Sequence, residues 1–162
     1  MQFEEVLSVS GIFKILEILI MFITVLLHRF GDYGLYLFFG TTSVKMAPGD
    51  PGMDVENLGN GALMTGILVS SSLLASYILD GRYHIQRLFL ETFWNCLICA
   101  LLMGTGVETL RNWASYDAPD DYTRDFGAGI ALGSLCILGS IIYFCDFVFA
   151  WVTRNRLKRE PY

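Results

Sequence analysis

The chain predicts an all-α fold: a four-transmembrane-helix bundle with both termini cytoplasmic and two extracellular loops. Three observations predict it. Four apolar stretches run over about 11–27, 61–79, 88–107 and 127–152, each near the ~20 residues that a helix needs to cross a ~30 Å hydrocarbon core. Hydrophobic residues make up 54% of the 162 residues, and the mean hydropathy is +0.49. The polar residues are pooled between the apolar stretches instead of rimming each one. One bundle uses nearly every residue, so 1–162 reads as a single four-pass membrane domain.

The first stretch, 11–27, follows Glu4 and Glu5. A cleaved leader would carry basic residues there and a small-residue cleavage site beyond, so this stretch is expected to remain as a span. His28, Arg29 and Gly31 close it. The first outer loop, 28–60, has two parts. Residues 33–44 are rich in aromatic and β-branched side chains and suit extended structure. Residues 47–61 are rich in Gly, Pro, Asp and Asn and suit irregular turns. The second stretch, 61–79, ends at Asp80-Gly81, and a link of a few residues, Arg82 to Arg87, makes an antiparallel hairpin with the third, 88–107. The second outer loop, 108–126, carries Trp113, Tyr116 and Tyr122 among its acids. The fourth stretch ends at Trp151, an expected interfacial residue, and a tail over 153–162 holds Arg154, Arg156, Lys158 and Arg159.

Charge sets the orientation. The formal net charge of −5 is concentrated in the two longer loops, at Asp32, Asp50, Asp54, Glu56, Glu108, Asp117, Asp120, Asp121 and Asp125. Lys14, Arg82, Arg87 and the basic tail lie on the other side, which the positive-inside rule makes cytoplasmic. No basic face suggests a nucleic-acid partner; the lipid bilayer is the implied one.

Ionisable groups inside the spans are Lys14, Glu17, Glu91 and Asp146. Span direction places all four in the inner-leaflet layer; Asp146 precedes Arg154 by eight residues, about 12 Å of helix. An intramembrane charge marks function by default. A proton or ion path needs groups along its whole length, and this set forms one layer, which favours a polar clasp that holds the bundle in register. A conducting role stays open.

Helices meet in lipid through small residues. Gly66 with Ser70, the Cys96, Ala100, Gly104 stripe, and Gly129 with Gly133 are the expected packing positions. They draw the second, third and fourth spans together and leave the bulky first span peripheral. Lateral association of a homo-oligomer through Gly129 and Gly133 stays open.

The run YGLYLFFG, residues 33–40, places Tyr33, Tyr36, Phe38 and Phe39 outside the spans. With Trp113 they are the candidates for extracellular contact, since exposed apolar patches mark partner or membrane surfaces. Burial of the same rings in the headgroup layer is the alternative. No N-x-[ST] acceptor occurs. The cysteines, Cys96, Cys99, Cys136 and Cys145, all fall in spans, so no loop disulfide is available, and Cys96–Cys99 reads as packing. His28 and His84 lie on opposite sides, and no nucleophile, base and acid can meet. No enzyme, cofactor or metal is expected. The ending Glu160-Pro161-Tyr162 weakly fits a groove that takes a chain end by strand addition.

Two segments carry a family resemblance: GIFKILEILIMFITVLLHRFGDYG, residues 11–34, with its early Lys and distal Arg and Gly-Tyr, and GIALGSLCILGSIIYFCD, residues 129–146, with its Gly-rich opening and terminal Asp. With four spans, two modest loops and a cysteine-free exterior, the chain resembles the snakeskin-like four-pass septate-junction proteins of insects. The claudin W…GLW-C-C pattern is missing from the first loop, and the tetraspanin Cys-Cys-Gly from the second. The resemblance implies a plasma-membrane protein of lateral epithelial junctions. It would act with a Mesh-like adhesion protein and a tetraspanin to support smooth septate junction assembly and the paracellular barrier. A small channel or transporter subunit, or a trafficking adaptor, is the alternative function.

Overall fold

A computed structural model describes residues 3–42, 52–115 and 125–159. A 3₁₀ turn, Phe3–Leu7, leads into α1 (Val9–Phe30), α2 (Gly52–Asp80), the short α3 (Arg82–Arg87), α4 (Leu90–Ala114) and α5 (Phe126–Leu157). The four long helices are each long and apolar enough to cross a membrane. The middle of the second outer loop, with Tyr116 and Tyr122, and the chain end at Tyr162 lie outside the described residues.

Local chemistry sets the helix ends. Ser8 caps α1 by accepting from Gly11 N at 3.2 Å, and its hydroxyl donates to Glu5 O at 2.6 Å. Asp125 caps α5 by accepting from Ala128 N at 2.9 Å. Each cap satisfies a backbone donor that the first helical turn leaves without a partner. Gly81, at φ 82°, turns the chain from α2 into α3 in a backbone region that favours glycine.

α4 and α5 pack along most of their length; α1 lies against α2 and α5, and α2 against α4. The four helices thus form a ring in which α1 faces α4 across the middle. The polarity is reversed relative to a water-soluble bundle. Leu16, Leu19, Phe22, Ile23, Leu68, Ile141 and Phe144 point outward, while Lys14, Glu17, Ser70, Asn95, Ser140 and Asp146 are fully buried. With lipid as solvent, apolar side chains lose nothing outside and polar ones need partners inside.

The structure corrects several expectations. α2 begins at Gly52, so residues 52–60 are helix and not irregular loop. A helix already nucleated in the span propagates cheaply, and Gly52, Glu56 and Gly59 lie on one buried stripe at its start. The link Arg82–Arg87 is itself a turn and a half of helix. α5 runs on through Arg154 and Arg156 to Leu157, so the start of the basic tail is helical. No strand occurs among the described residues; the first outer loop has a single bridge, Asp32 to Leu35. The first span is not peripheral: Lys14, Glu17 and Met21 of α1 have no exposed surface.

Small residues divide between the interior and the outside. A Cβ on Gly66 would stand 3.0 Å from the Tyr143 hydroxyl and 3.2 Å from Met21. One on Gly133 would stand 2.8 Å from Leu110, and one on Gly129 would overlap the Trp113 ring. Gly129 and Gly133 are therefore committed to α4 within the chain, and they are not open to a second copy. Ala100 and Gly104 are corrected in the other direction. Both are exposed, and nothing lies within 4 Å of a Cβ built on Gly104. The buried stripe of α4 is Glu91, Asn95, Ile98, Leu102, Thr105, Thr109 and Trp113.

Candidate functional site

Two polar assemblies lie inside the bundle, one toward each end. The first centres on Lys14. Its Nζ lies 2.5 Å from Asp146 Oδ2 on α5, 2.9 Å from Asn95 Oδ1 on α4, and 3.1 Å from Glu17 Oε2 one turn along α1. Glu91 Oε1 on α4 is 4.0 Å away. Asn95 Nδ2 donates to Asp146 Oδ2 at 2.7 Å. Ser70 of α2 donates to Glu17 Oε2 at 2.6 Å, and its oxygen lies 2.8 Å from the Tyr143 hydroxyl of α5. Tyr77 of α2 donates to Glu91. One ammonium thus ties α1 to α4 and α5, and the carboxyls of Glu17 and Glu91 bring in α2 through Ser70 and Tyr77. The structure brings Lys14, Glu17, Glu91 and Asp146 into this one cluster.

Asn95, Tyr77 and Tyr143 belong to the cluster as well, and sequence reasoning missed them. Helical spacing carried a signal: Asn95 lies one turn from Glu91, and Tyr143 three residues from Asp146. Ser70, expected only to pack, donates to Glu17.

Among the described residues the cluster has no polar continuation toward the other end. Met21, Leu63, Ile98 and Leu102 fill the bundle between the two assemblies, each at most 1% exposed. Thr24, Thr105 and Thr109 turn their hydroxyls back onto Ile20 O, Leu101 O and Thr105 O of their own helices.

The second assembly fastens the loop between α1 and α2. Gly31 caps the end of α1, and a tight turn follows in which Tyr33 (φ 52°) and Gly34 (φ 85°) both have positive φ, as in a type I′ turn. The chain then returns across the mouth of the bundle. Leu37 N donates to His28 O at 2.9 Å, and His28 Nδ1 donates to Leu37 O at 2.6 Å. Phe39 N donates to Glu56 Oε2 at 2.9 Å, and the Tyr36 hydroxyl to Glu56 Oε1 at 3.0 Å. Asn60 Nδ2 donates to the same oxygen at 2.7 Å, and His28 Nε2 lies 3.1 Å from it. The Trp113 indole of α4 donates to Phe38 O at 3.1 Å. Asp32 accepts from Asp125 N, the cap residue of α5, at 3.0 Å. Burial raises the Tyr36 phenol above its ordinary range.

This geometry corrects the expected contact set. Phe39 and Trp113 have no exposed surface, and Tyr36 and Phe38 are partly covered. These rings close the mouth of the bundle and face inward because they bury more apolar area there than on the water side. Tyr33 keeps 79% of its surface, and the residues beside it that the sequence did not single out, Phe30 and Leu35, keep 64% and 63%.

If Glu56 holds the strap down, replacing it with Ala should raise amide exchange at Leu37 and Phe39 by at least about tenfold, as one local opening. Exchange in the middle of α4 should not change. Unaltered exchange at Phe39 would mean that packing alone keeps the strap closed.

At the terminal end of the bundle, Arg154 lies over the Phe89 ring at 5.0 Å, Arg156 is in the last turn of α5, and Lys158 and Arg159 follow it. Among the described residues no group of His, Cys, Asp or Glu could hold a metal ion. Cys96 and Cys145 are exposed, Cys136 is buried, and the Cys99 sulfur lies 3.3 Å from Ser140 Oγ.

Comparison with known proteins gives one informative relation. The snakeskin protein of Drosophila melanogaster is 26% identical over 149 residues, 90% of this chain and 90% of that protein. The chain is similar to snakeskin nearly end to end. No family model matches it, and no solved structure does.

Proposed function

We propose that this chain is a non-catalytic structural membrane protein of epithelial septate junctions, oriented with both termini in the cytoplasm. It supports junction assembly and the paracellular barrier through lateral and extracellular contacts. The observation that carries the reading is the near end-to-end similarity to snakeskin, joined to the septate-junction resemblance of residues 11–34 and 129–146. The fastened strap supports it physically. A loop held at His28, Glu56 and Trp113 loses little conformational entropy when it meets a partner. In this reading Tyr33, with Phe30 and Leu35 beside it, makes the extracellular contact, and the Lys14 clasp keeps the helices beneath in register. A Mesh-like adhesion protein and a tetraspanin are the partners that the resemblance implies.

The test is the location of a tagged chain in polarised epithelium. Enrichment along lateral cell contacts is the expected result, and retention in internal membranes would instead support a trafficking adaptor. Tyr33→Ser/Leu35→Ser should leave the bundle folded while reducing lateral enrichment by more than about half, since both side chains already lie in the open. Normal enrichment of that variant would remove the contact role of the loop tip.

A channel or transporter subunit is the second reading, and the buried group of three carboxyls and one ammonium favours it. The apolar plug of Met21, Leu63, Ile98 and Leu102 opposes it. Flux through reconstituted vesicles no greater than through empty ones would discard it.

A further inference from the structure

A cavity of about 470 Å³ opens at the terminal end of the bundle, between α3 and the last turns of α5. Arg82, Tyr83 and Gln86 form one wall, and Phe149, Thr153 and Arg156 the other. Its size is within the range of small-ligand sites. A second cavity of about 550 Å³ adjoins it and shares Arg156, with Trp151 and Val152 in its lining. Trp151 and Val152 are 44% and 54% exposed on the lipid-facing side. α5 has 32 residues, about 48 Å of helix, which is longer than the ~30 Å hydrocarbon core. The basic residues Arg154 and Arg156 in its last turn make this the end expected at headgroup depth, with the cavity beside it.

The polar atoms of the wall are already held in place. Arg82 Nη2 donates to the Tyr83 hydroxyl at 2.8 Å, and the guanidinium lies 4.6 Å from the centre of that ring. Gln86 is 2% exposed, and its Nε2 donates to Ser10 Oγ at 2.6 Å. Two buried atoms nonetheless have no hydrogen-bond partner: Gln86 Oε1, an acceptor, and Arg82 Nε, a donor. Glu5 Oε2 is 3.3 Å from Arg82 Nε, without the alignment of a hydrogen bond. Buried polar groups in native proteins are nearly always paired. A buried donor on a cation and a buried carbonyl acceptor, both without hydrogen-bond partners and one turn apart on α3, suit a ligand with an anionic oxygen next to a hydroxyl. Two arginines add the charge that a phosphate needs, and Glu5 offsets part of it. Phe149 supplies apolar surface for carbon.

We propose that this cavity binds a phosphorylated polyol headgroup, of the inositol phosphate kind, carried by a lipid of the cytoplasmic leaflet. Arg82 and Arg156 hold phosphate oxygens, and Gln86 Oε1 accepts from a ring hydroxyl. Basic pockets between helices at this depth suit such lipids. The site is separate from the Lys14 clasp and from the outer strap.

The test measures binding of a fluorescent short-chain phosphatidylinositol bisphosphate to the full chain in detergent. Saturable binding is expected, with displacement by soluble inositol trisphosphate and not by equal concentrations of inorganic phosphate or short-chain phosphatidylserine. Arg82→Gln/Arg156→Gln should weaken binding by at least about tenfold, the effect of a lost charge-assisted contact. Lys158→Gln/Arg159→Gln removes the same charge from the tail and should change it less than about threefold. Should the first double variant fail to fold, Arg156→Glu alone, at an exposed position, should give the same loss. Equal weakening by the tail variant, equal competition by phosphatidylserine, or equal competition by phosphate would each overturn the assignment, leaving unselective attraction or a plain anion site.

Discussion

Replacing Lys14 with Met should prevent the protein from accumulating. Methionine fills a similar volume and removes the one ammonium that faces Glu17, Glu91 and Asp146. Removing one partner of a buried ion pair costs about 3–5 kcal/mol, because the remaining charge is stranded. Three carboxyls are stranded here, against a total stability of about 5–15 kcal/mol for an ordinary domain. Asp146→Asn should be far milder. It keeps the shape, leaves Lys14 with Glu17 at 3.1 Å, and reduces the excess of carboxyls over cations. The quadruple variant Lys14→Met/Glu17→Gln/Glu91→Gln/Asp146→Asn should recover most of the protein, as buried ionic groups are often replaceable when removed together. The measurement is the folded yield in detergent, with the thermal midpoint of each variant. Equal tolerance of Lys14→Met and Asp146→Asn would show that the cluster does not hold the helices together.

The second large effect belongs to Gly129. A single methyl there overlaps the Trp113 ring, which is fully buried and donates to Phe38 O. The ring cannot move outward without giving up that hydrogen bond and loosening the strap. Gly129→Ala should therefore destabilise by about 1–3 kcal/mol, the usual effect of overpacking. In a background of Trp94→Phe and Trp151→Phe, the emission of Trp113 should shift to the red. Gly104→Ala is the matched control: its methyl meets nothing within 4 Å, and alanine is the better helix former. It should be neutral or slightly stabilising. Equal effects of the two substitutions would contradict the packing of α4 on α5.

Much of the architecture is legible in the sequence because the bilayer imposes a length on each span, and four runs of that length stand out. The helix ends are less legible. A hydropathy run ends where the hydrocarbon ends, whereas a helix ends where its tertiary partners do. Glu56 shows this: it reads as a loop acid, and it is the residue on α2 that receives Phe39 N, Tyr36 and Asn60.

The charged layer is legible because ionisable groups are rare in spans and direction of travel fixes their depth. Its neutral members are not, since Tyr77 and Tyr143 resemble the aromatic residues that occur anywhere in a membrane helix. The stripe on α4 failed for a related reason. Small size selects Cys96, Ala100 and Gly104, which face outward. The residues that mark the inner face are the polar ones, Glu91, Asn95, Thr105 and Thr109. In lipid a polar side chain is the surer sign of burial. The aromatic loop misled in the opposite sense, because composition alone does not separate a ring that meets a partner from one that seals the mouth of its own bundle.

One scan tests the reversed polarity on which the clasp, the strap and the headgroup site all depend. Spin labels placed singly at 95 to 105, in a chain cleared of its own cysteines and reconstituted in bilayers, report access to oxygen dissolved in lipid. Access should peak at 96, 100 and 103–104 and fall to minima at 95, 98, 102 and 105, following the exposed and buried faces of α4. Maxima at Asn95 and Thr105, or access to a water-soluble relaxant along the whole segment, would contradict it.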